Sequence, residues 1–180
     1  MKIRLAAYLQ PDSIVDGEGI RTVIWTQGCP HNCFGCHNPD THDFNGGCLI
    51  DTDEIKEELK KLKNQTGITF SGGDPMCQPE ACLEIAKYAK SLGMNIWCYT
   101  GYTYEELLAM KNKHIKAFLQ EIDVLIDGKF ILEQKSLNLR FKGSKNQRVI
   151  DVKKSLEQKQ VILKEENTEI TLNKKEYIFV

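Results

Sequence analysis

Three cysteines stand close together in Cys29-Pro-His-Asn-Cys33-Phe-Gly-Cys36, with three residues between the first two and two between the second and third. Thiolates are soft ligands, and a loop this short can wrap one centre. A 4Fe–4S cube held by three thiolates leaves one iron without a protein ligand, an open corner where a substrate or cofactor can chelate. Zinc is the first rival, with His31, His37, His42 or Cys48 as fourth ligand, although structural zinc sites usually pair their ligands as two knuckles and no second well-placed pair is present. A reactive thiol on an ordinary loop is the third reading. Spacing alone leaves all three open.

The cysteine count supports metal or redox chemistry. Seven cysteines in 180 residues cannot pair completely within one chain, and the four at 48, 77, 82 and 98 repeat no cluster spacing. Cys82 and Cys98 fall on apolar faces and read as packing residues. With 24 Lys and Arg against 25 Asp and Glu the formal charge is −1, which argues against a nucleic-acid partner held by phosphate neutralisation. No apolar run approaches the roughly 20 residues that span a bilayer, and the N-terminus turns polar at Gln10-Pro11-Asp12, too early for a secretory h-region. The expectation is a cytoplasmic chain. A hydrophobic fraction of 41% with 27% charged residues describes one globular domain able to bury a core.

The elements that must position the cysteines alternate strand and helix. Residues 20–27 read as a strand that delivers the chain to Cys29, since they are rich in β-branched and aromatic residues. A helix from Thr52 or Asp51 to about residue 63 follows, then a buried strand over 67–70, a helix over 79–92, and a strand over 95–99. A helical stretch over 104–120, broken near His114, precedes a strand over 122–126. Such alternation predicts a mainly parallel sheet with crossover helices. A closed eight-unit barrel needs about 250 residues, so a doubly wound sheet or an incomplete barrel remains. In either, the ligand site lies at the carboxyl ends of the strands. Residues 29–36, 71–75, 99–102 and 127–130 all fall there.

These residues carry a family resemblance. Cys29-x3-Cys33-x2-Cys36, preceded by Asp16-Gly17-Glu18-Gly19-Ile20-Arg21 and Thr26-Gln27-Gly28, resembles the signature of the radical S-adenosylmethionine (SAM) enzymes, in particular their glycyl-radical activating group. Four further stretches resemble the subgroup that activates anaerobic ribonucleoside-triphosphate reductase: Thr69-Phe-Ser-Gly-Gly-Asp-Pro75, Trp97-Cys-Tyr-Thr-Gly-Tyr102, Asp123-Val-Leu-Ile-Asp-Gly128, and Gly143-Ser-Lys-Asn-Gln-Arg-Val-Ile-Asp151. One feature departs from many radical SAM enzymes: Gly35 stands where an aromatic residue usually precedes the third cysteine, and Phe34 lies one place earlier. No ferredoxin-type cysteine set is inserted.

The resemblance, which runs from about residue 12 to 155, implies an α/β fold, an incomplete (β/α) barrel of the radical SAM type; residues 1–180 are expected to form a single domain, and the pattern within 156–180 reads as C-terminal strands. The resemblance also implies a 4Fe–4S cluster on Cys29, Cys33 and Cys36, whose open iron binds SAM, and no catalytic side chain beyond cluster and SAM. Gly72, Gly73 and Asp74 would recognise the SAM amino group. Gly35, Cys36 and His37 would meet the adenine, and Tyr99 and Asp127 would line the pocket. The implied protein substrate is a glycine of anaerobic ribonucleoside-triphosphate reductase, with an electron donor such as flavodoxin. Lys142, Lys145, Arg148, Lys153 and Lys154 form a basic stretch, either a solvated face or a contact with that partner. An activator of another glycyl-radical enzyme such as pyruvate formate-lyase is the nearest alternative. A zinc-binding adaptor and an iron–sulfur electron carrier are the alternatives from other classes.

Overall fold

The computed structural model describes residues 1–164. Strands β1 (Lys2–Leu5), β2 (Gln10–Ser13), β3 (Arg21–Thr26) and β4 (Cys48–Asp51) precede helix α1 (Thr52–Lys61). Then come β5 (Gly67–Gly72), α2 (Pro79–Ser91), β6 (Asn95–Tyr99), α3 (Tyr104–Ala109), α4 (Lys113–Glu121), β7 (Val124–Asp127), β8 (Arg148–Asp151) and α5 (Val152–Gln158). The sheet order is β4-β1-β3-β5-β6-β7-β8, with β2 also paired to β3. Strands β3, β5, β6 and β7 run parallel, in a register that sets Thr26 beside Gly72 and Tyr99 beside Ile126. Their carboxyl ends therefore lie together. The order leaves β4 and β8 at its two ends, as in a partial barrel.

The parallel core and its crossover helices match the expectation, but the flanks were not legible. Strands β1, β2, β4 and β8 add four antiparallel pairings. Each is only four residues long, too short for a period-two pattern to declare itself, and β2 reads Gln-Pro-Asp-Ser. The helical break also lies earlier than expected. Helix α3 ends at Ala109, and α4 begins after Asn112, whose side chain accepts from the His114 and Ile115 amides. Of the expected C-terminal strands, residues 161–163 show a single bridge, Ile150 to Leu163. The remainder lie outside the described residues.

Alternation on the strands gives the sheet two unlike faces. Ile24, Ile68, Phe70, Ile96, Cys98, Leu125 and Ile150 point to the helices and are fully buried against Ile85, Ala86 and Phe118. Phe70 meets Phe118 edge-on with ring centroids 5.2 Å apart. Each such side chain contributes on the order of 2–3 kcal/mol when removed from water. The opposite face carries Arg21, Thr69, Trp97, Val124 and Ile126. Arg21 is fully buried, and burial lowers its pKa to about 10. Its guanidinium donates to Thr69 Oγ1 (2.7 Å), Asn95 Oδ1 (2.7 Å), and the carbonyls of Glu18 and Ile68, and stacks over Trp97 at 5.2 Å. This plug fills the amino-terminal half of the inner face. The carboxyl-terminal half stays open.

Candidate active site at the strand ends

Where β3 ends, Gly28 at φ +95° turns the chain into the cysteine loop. The Gly28 and Cys29 amides donate to the carbonyls of Thr41 and His42, which anchors the loop's base. Strand β5 ends in Gly72 and Gly73, and their backbone is pressed against that same turn. The Gly73 amide donates to Thr26 O at 2.7 Å and the Asp74 amide to Gly28 O at 2.8 Å. A Cβ on Gly72 would lie 2.5 Å from Thr26 O, and one on Gly73 would lie 2.5 Å from Gly28 O. The two glycines are thus demanded by a close backbone approach between strand ends.

Cys29, Cys33 and Cys36 open onto one cleft of 540 Å³ that Gly72, Gly73, Asp74 and Tyr99 also line. That volume suits a ligand of nucleoside size. Val15, Trp25 and Phe141 give the cleft an apolar wall. Burial pushes the Cys29 thiol up, against a hydrogen bond from the His31 backbone amide that lowers it. The Asn38 amide donates to Cys36 Sγ at 3.4 Å. An all-thiol donor set with a backbone N–H on the Cys36 sulfur fits an iron–sulfur cluster. Among the described residues no three Cys, His, Asp or Glu side chains converge on a point that would hold a single metal ion. Cys48 is exposed on β4, and Cys77, raised to about 12 chiefly by burial, does not line the cleft. Cys82 and Cys98 are buried in the helix-side core as expected.

The remaining expected residues divide. Gly35, at φ +73°, packs against Leu132, and His37 lies on Phe130 with centroids 4.8 Å apart. Both flank Cys36, and His37 lines the cleft. Tyr99 sits half-buried, its hydroxyl pKa raised mainly by burial. Two aspartates are held by partners within the chain. Asp74 lines the cleft, and its carboxylate accepts from Met76 N, Gly101 N, Thr100 Oγ1 and His31 Nε2. Asp127 is directed away from the cysteines. It accepts from the Tyr104 amide and from Arg148, and it lines a separate cleft on the β8 side. The reason is local, since α3 begins beside it and offers a free N–H.

One wall was missed. Residues 128–147 cross the open side of the sheet and contribute Phe130, Leu139, Phe141, Lys142 and Gln147 to the cleft. Phe141 stacks edge-on against Trp97 at 5.0 Å, at φ +60°. The Gly-Ser-Lys-Asn-Gln motif braces this strap: Gln147 Oε1 accepts from the Gly143 amide, its Nε2 donates to Gly128 O, and Asn146 donates to Lys129 O. Of the basic stretch, Arg148, Lys153 and Lys154 pair with Asp127, Asp123 and Asp151 of the same chain. Only Lys142 among these five lines the cleft.

Residues 15–150 match the family model described as a 4Fe-4S single cluster domain. The chain is 40% identical over 151 residues to the anaerobic ribonucleoside-triphosphate reductase-activating protein of Haemophilus influenzae, covering 78% of this chain and 94% of that one. It belongs to that family. The protein of the same name from Escherichia coli K12 is 36% identical over 147 residues, 76% of this chain and 92% of that one. A pyruvate formate-lyase-activating enzyme from Clostridium pasteurianum is 40% identical over 118 residues, which cover 61% of this chain and 48% of that enzyme. As a member of the reductase-activating family the chain is a radical SAM activating enzyme, and its cofactors are a 4Fe–4S cluster and SAM. No helix among the described residues is long and apolar enough to cross a membrane.

Proposed function

We propose that this chain, acting in the cytoplasm as a single domain, generates a glycyl radical on an anaerobic ribonucleoside-triphosphate reductase. The reading stands on one observation: three thiols from one loop and the Gly72-Gly73 turn line the same nucleoside-sized cleft. The target follows from the relatives, since the match spans 94% of the Haemophilus reductase-activating protein. Cys29, Cys33 and Cys36 hold the cluster, and a flavodoxin-type donor reduces it. When bound, the cluster supplies the electron that cleaves the SAM sulfonium to methionine and a deoxyadenosyl radical. Gly72 and Gly73 present backbone to the methionyl end of SAM, and Gly35, Cys36 and His37 border its adenine.

The chain's other residues keep the reaction dry and directed. Val15, Trp25 and Phe141 exclude water from the cleft wall, which protects a primary radical from side reactions. The cleft between the cysteine loop and the strap over residues 128–147 admits a flexible segment of a second protein. Glycine suits that segment, because it has no Cβ to obstruct approach. The isolated, reduced protein should therefore cleave SAM slowly and without coupling. Electron paramagnetic resonance should show a glycyl radical only when the reductase is added. A radical formed equally on pyruvate formate-lyase would move the target to the alternative enzyme, and a bound cluster that never cleaves SAM would leave an electron carrier.

A further inference from the structure

We infer that His31 is a positioning residue that clamps the cysteine loop onto the ends of β5 and β6 through Asp74, and so sets how firmly the cluster is held. The inference rests on the cluster reading above. His31 lies between the first two cysteines, in a loop whose Asn32, Phe34 and Gly35 are exposed, Phe34 at 82%. Its own side chain is only 5% exposed, with Nε2 2.7 Å from Asp74 Oδ2. With the hydrogen on Nε2, the ring adds a fourth donor to a carboxylate that already accepts from Met76 N, Thr100 Oγ1 and Gly101 N. The ring stands edge-on to Tyr102 with centroids 4.4 Å apart.

The slot that receives the ring is built for it. A Cβ on Gly101 would lie 2.3 Å from the His31 ring, so any larger residue there would displace it. Thr100 Oγ1 and the Gly101 amide hold the same carboxylate from β6, and the Met76 amide holds it from the segment after β5. One buried carboxylate thus joins three strand ends. His31 is the only contribution of the cysteine loop to it among the described residues. His31 lies two residues after Cys29, so fixing the ring also fixes the peptide beside a cluster ligand. Partners that orient a ligand from behind typically change metal affinity by about 10–100-fold when removed.

His31→Leu fills the slot without a donor, whereas His31→Gln keeps an N–H close to the position of Nε2. In the metal-free protein, hydrogen exchange across residues 29–36 should rise in His31→Leu, stay close to wild type in His31→Gln, and leave β5 and β6 unchanged in both. After anaerobic loading, a chelator should strip the cluster about 10–100-fold faster from His31→Leu than from wild type, with His31→Gln largely restored. Asp74→Asn should resemble His31→Leu, and the double variant should add little, as expected for two halves of one contact. Unchanged exchange in His31→Leu overturns the clamp, whatever the protein does with iron. A folded His31→Gln that behaves like His31→Leu also overturns it. If wild type takes up no iron and sulfide while the exchange pattern holds, the clamp stands and the cluster reading fails.

Discussion

Asp74 and Asp127 are each 1% exposed, and each stands where a parallel strand hands over to its loop. Asp74 gathers donors from the cysteine loop, from the segment after β5 and from the end of β6. Asp127 gathers the first amide of α3 and the guanidinium of Arg148 on β8, which also reaches Glu105. The first carboxylate assembles a reaction site, and the second fastens a helix and an edge strand to the scaffold. Position in a strand–helix unit therefore does not set the role of a buried aspartate. What decides it is which neighbouring segment brings a donor: a metal-binding loop in one case, a helix N-terminus and a structural arginine in the other.

Breaking each region should have distinct consequences. The largest effect belongs to the cysteine loop: Cys29→Ala, Cys33→Ala and Cys36→Ala should each abolish a stable cluster and SAM cleavage, measured as iron and sulfide per chain and as deoxyadenosine formed. Equal dependence on Cys48 or His37 for metal retention would contradict the open-iron arrangement. On the scaffold side, Arg148→Met leaves the Asp127 carboxylate buried with the Tyr104 amide as its remaining donor. That should cost about 3 kcal/mol and lower Tm by about 6–12 °C, with iron content per folded chain unchanged. Loss of the cluster at full stability would erase the distinction between the two aspartates.

The sequence made one side of this comparison legible and left the other obscure. Four parallel strands, their helices and the convergence of residues 29–36, 71–75 and 99–102 follow from hydrophobic period and from strand ends. The direction of a carboxylate does not. The internal partners of Asp74, His31 and Thr100, lie far from it in sequence and were not legible. The same holds for Asp127, because Arg148 arrives on a four-residue antiparallel strand that no period reveals. The glycines were legible as sites of close approach, but the approaching partner is the chain's own Thr26–Gly28 backbone. The strap over residues 128–147 carried no period at all, and its motif is a set of internal braces.

Two smaller perturbations sharpen the contrast. Gly72→Ala forces a residue at φ +96° and a Cβ 2.5 Å from Thr26 O, so it should cost about 2 kcal/mol and weaken SAM binding in a cluster-replete protein. Equilibrium denaturation and a SAM titration check the two parts separately. Cys82→Ala, in the helix-side core, should cost about 1 kcal/mol through a small cavity and leave both cluster and SAM affinity intact. A loss of iron in that variant would place Cys82 in the site.

A chain of this kind directs a SAM-derived radical onto a glycine of a partner reductase. The most direct measurement places deuterium at the αC of that glycine and follows it into deoxyadenosine during activation. The account predicts deuterium in deoxyadenosine together with the glycyl radical, and only with the reductase present. Deuterium absent from deoxyadenosine while the radical forms, or label arriving instead from a free small molecule without a protein partner, would contradict it.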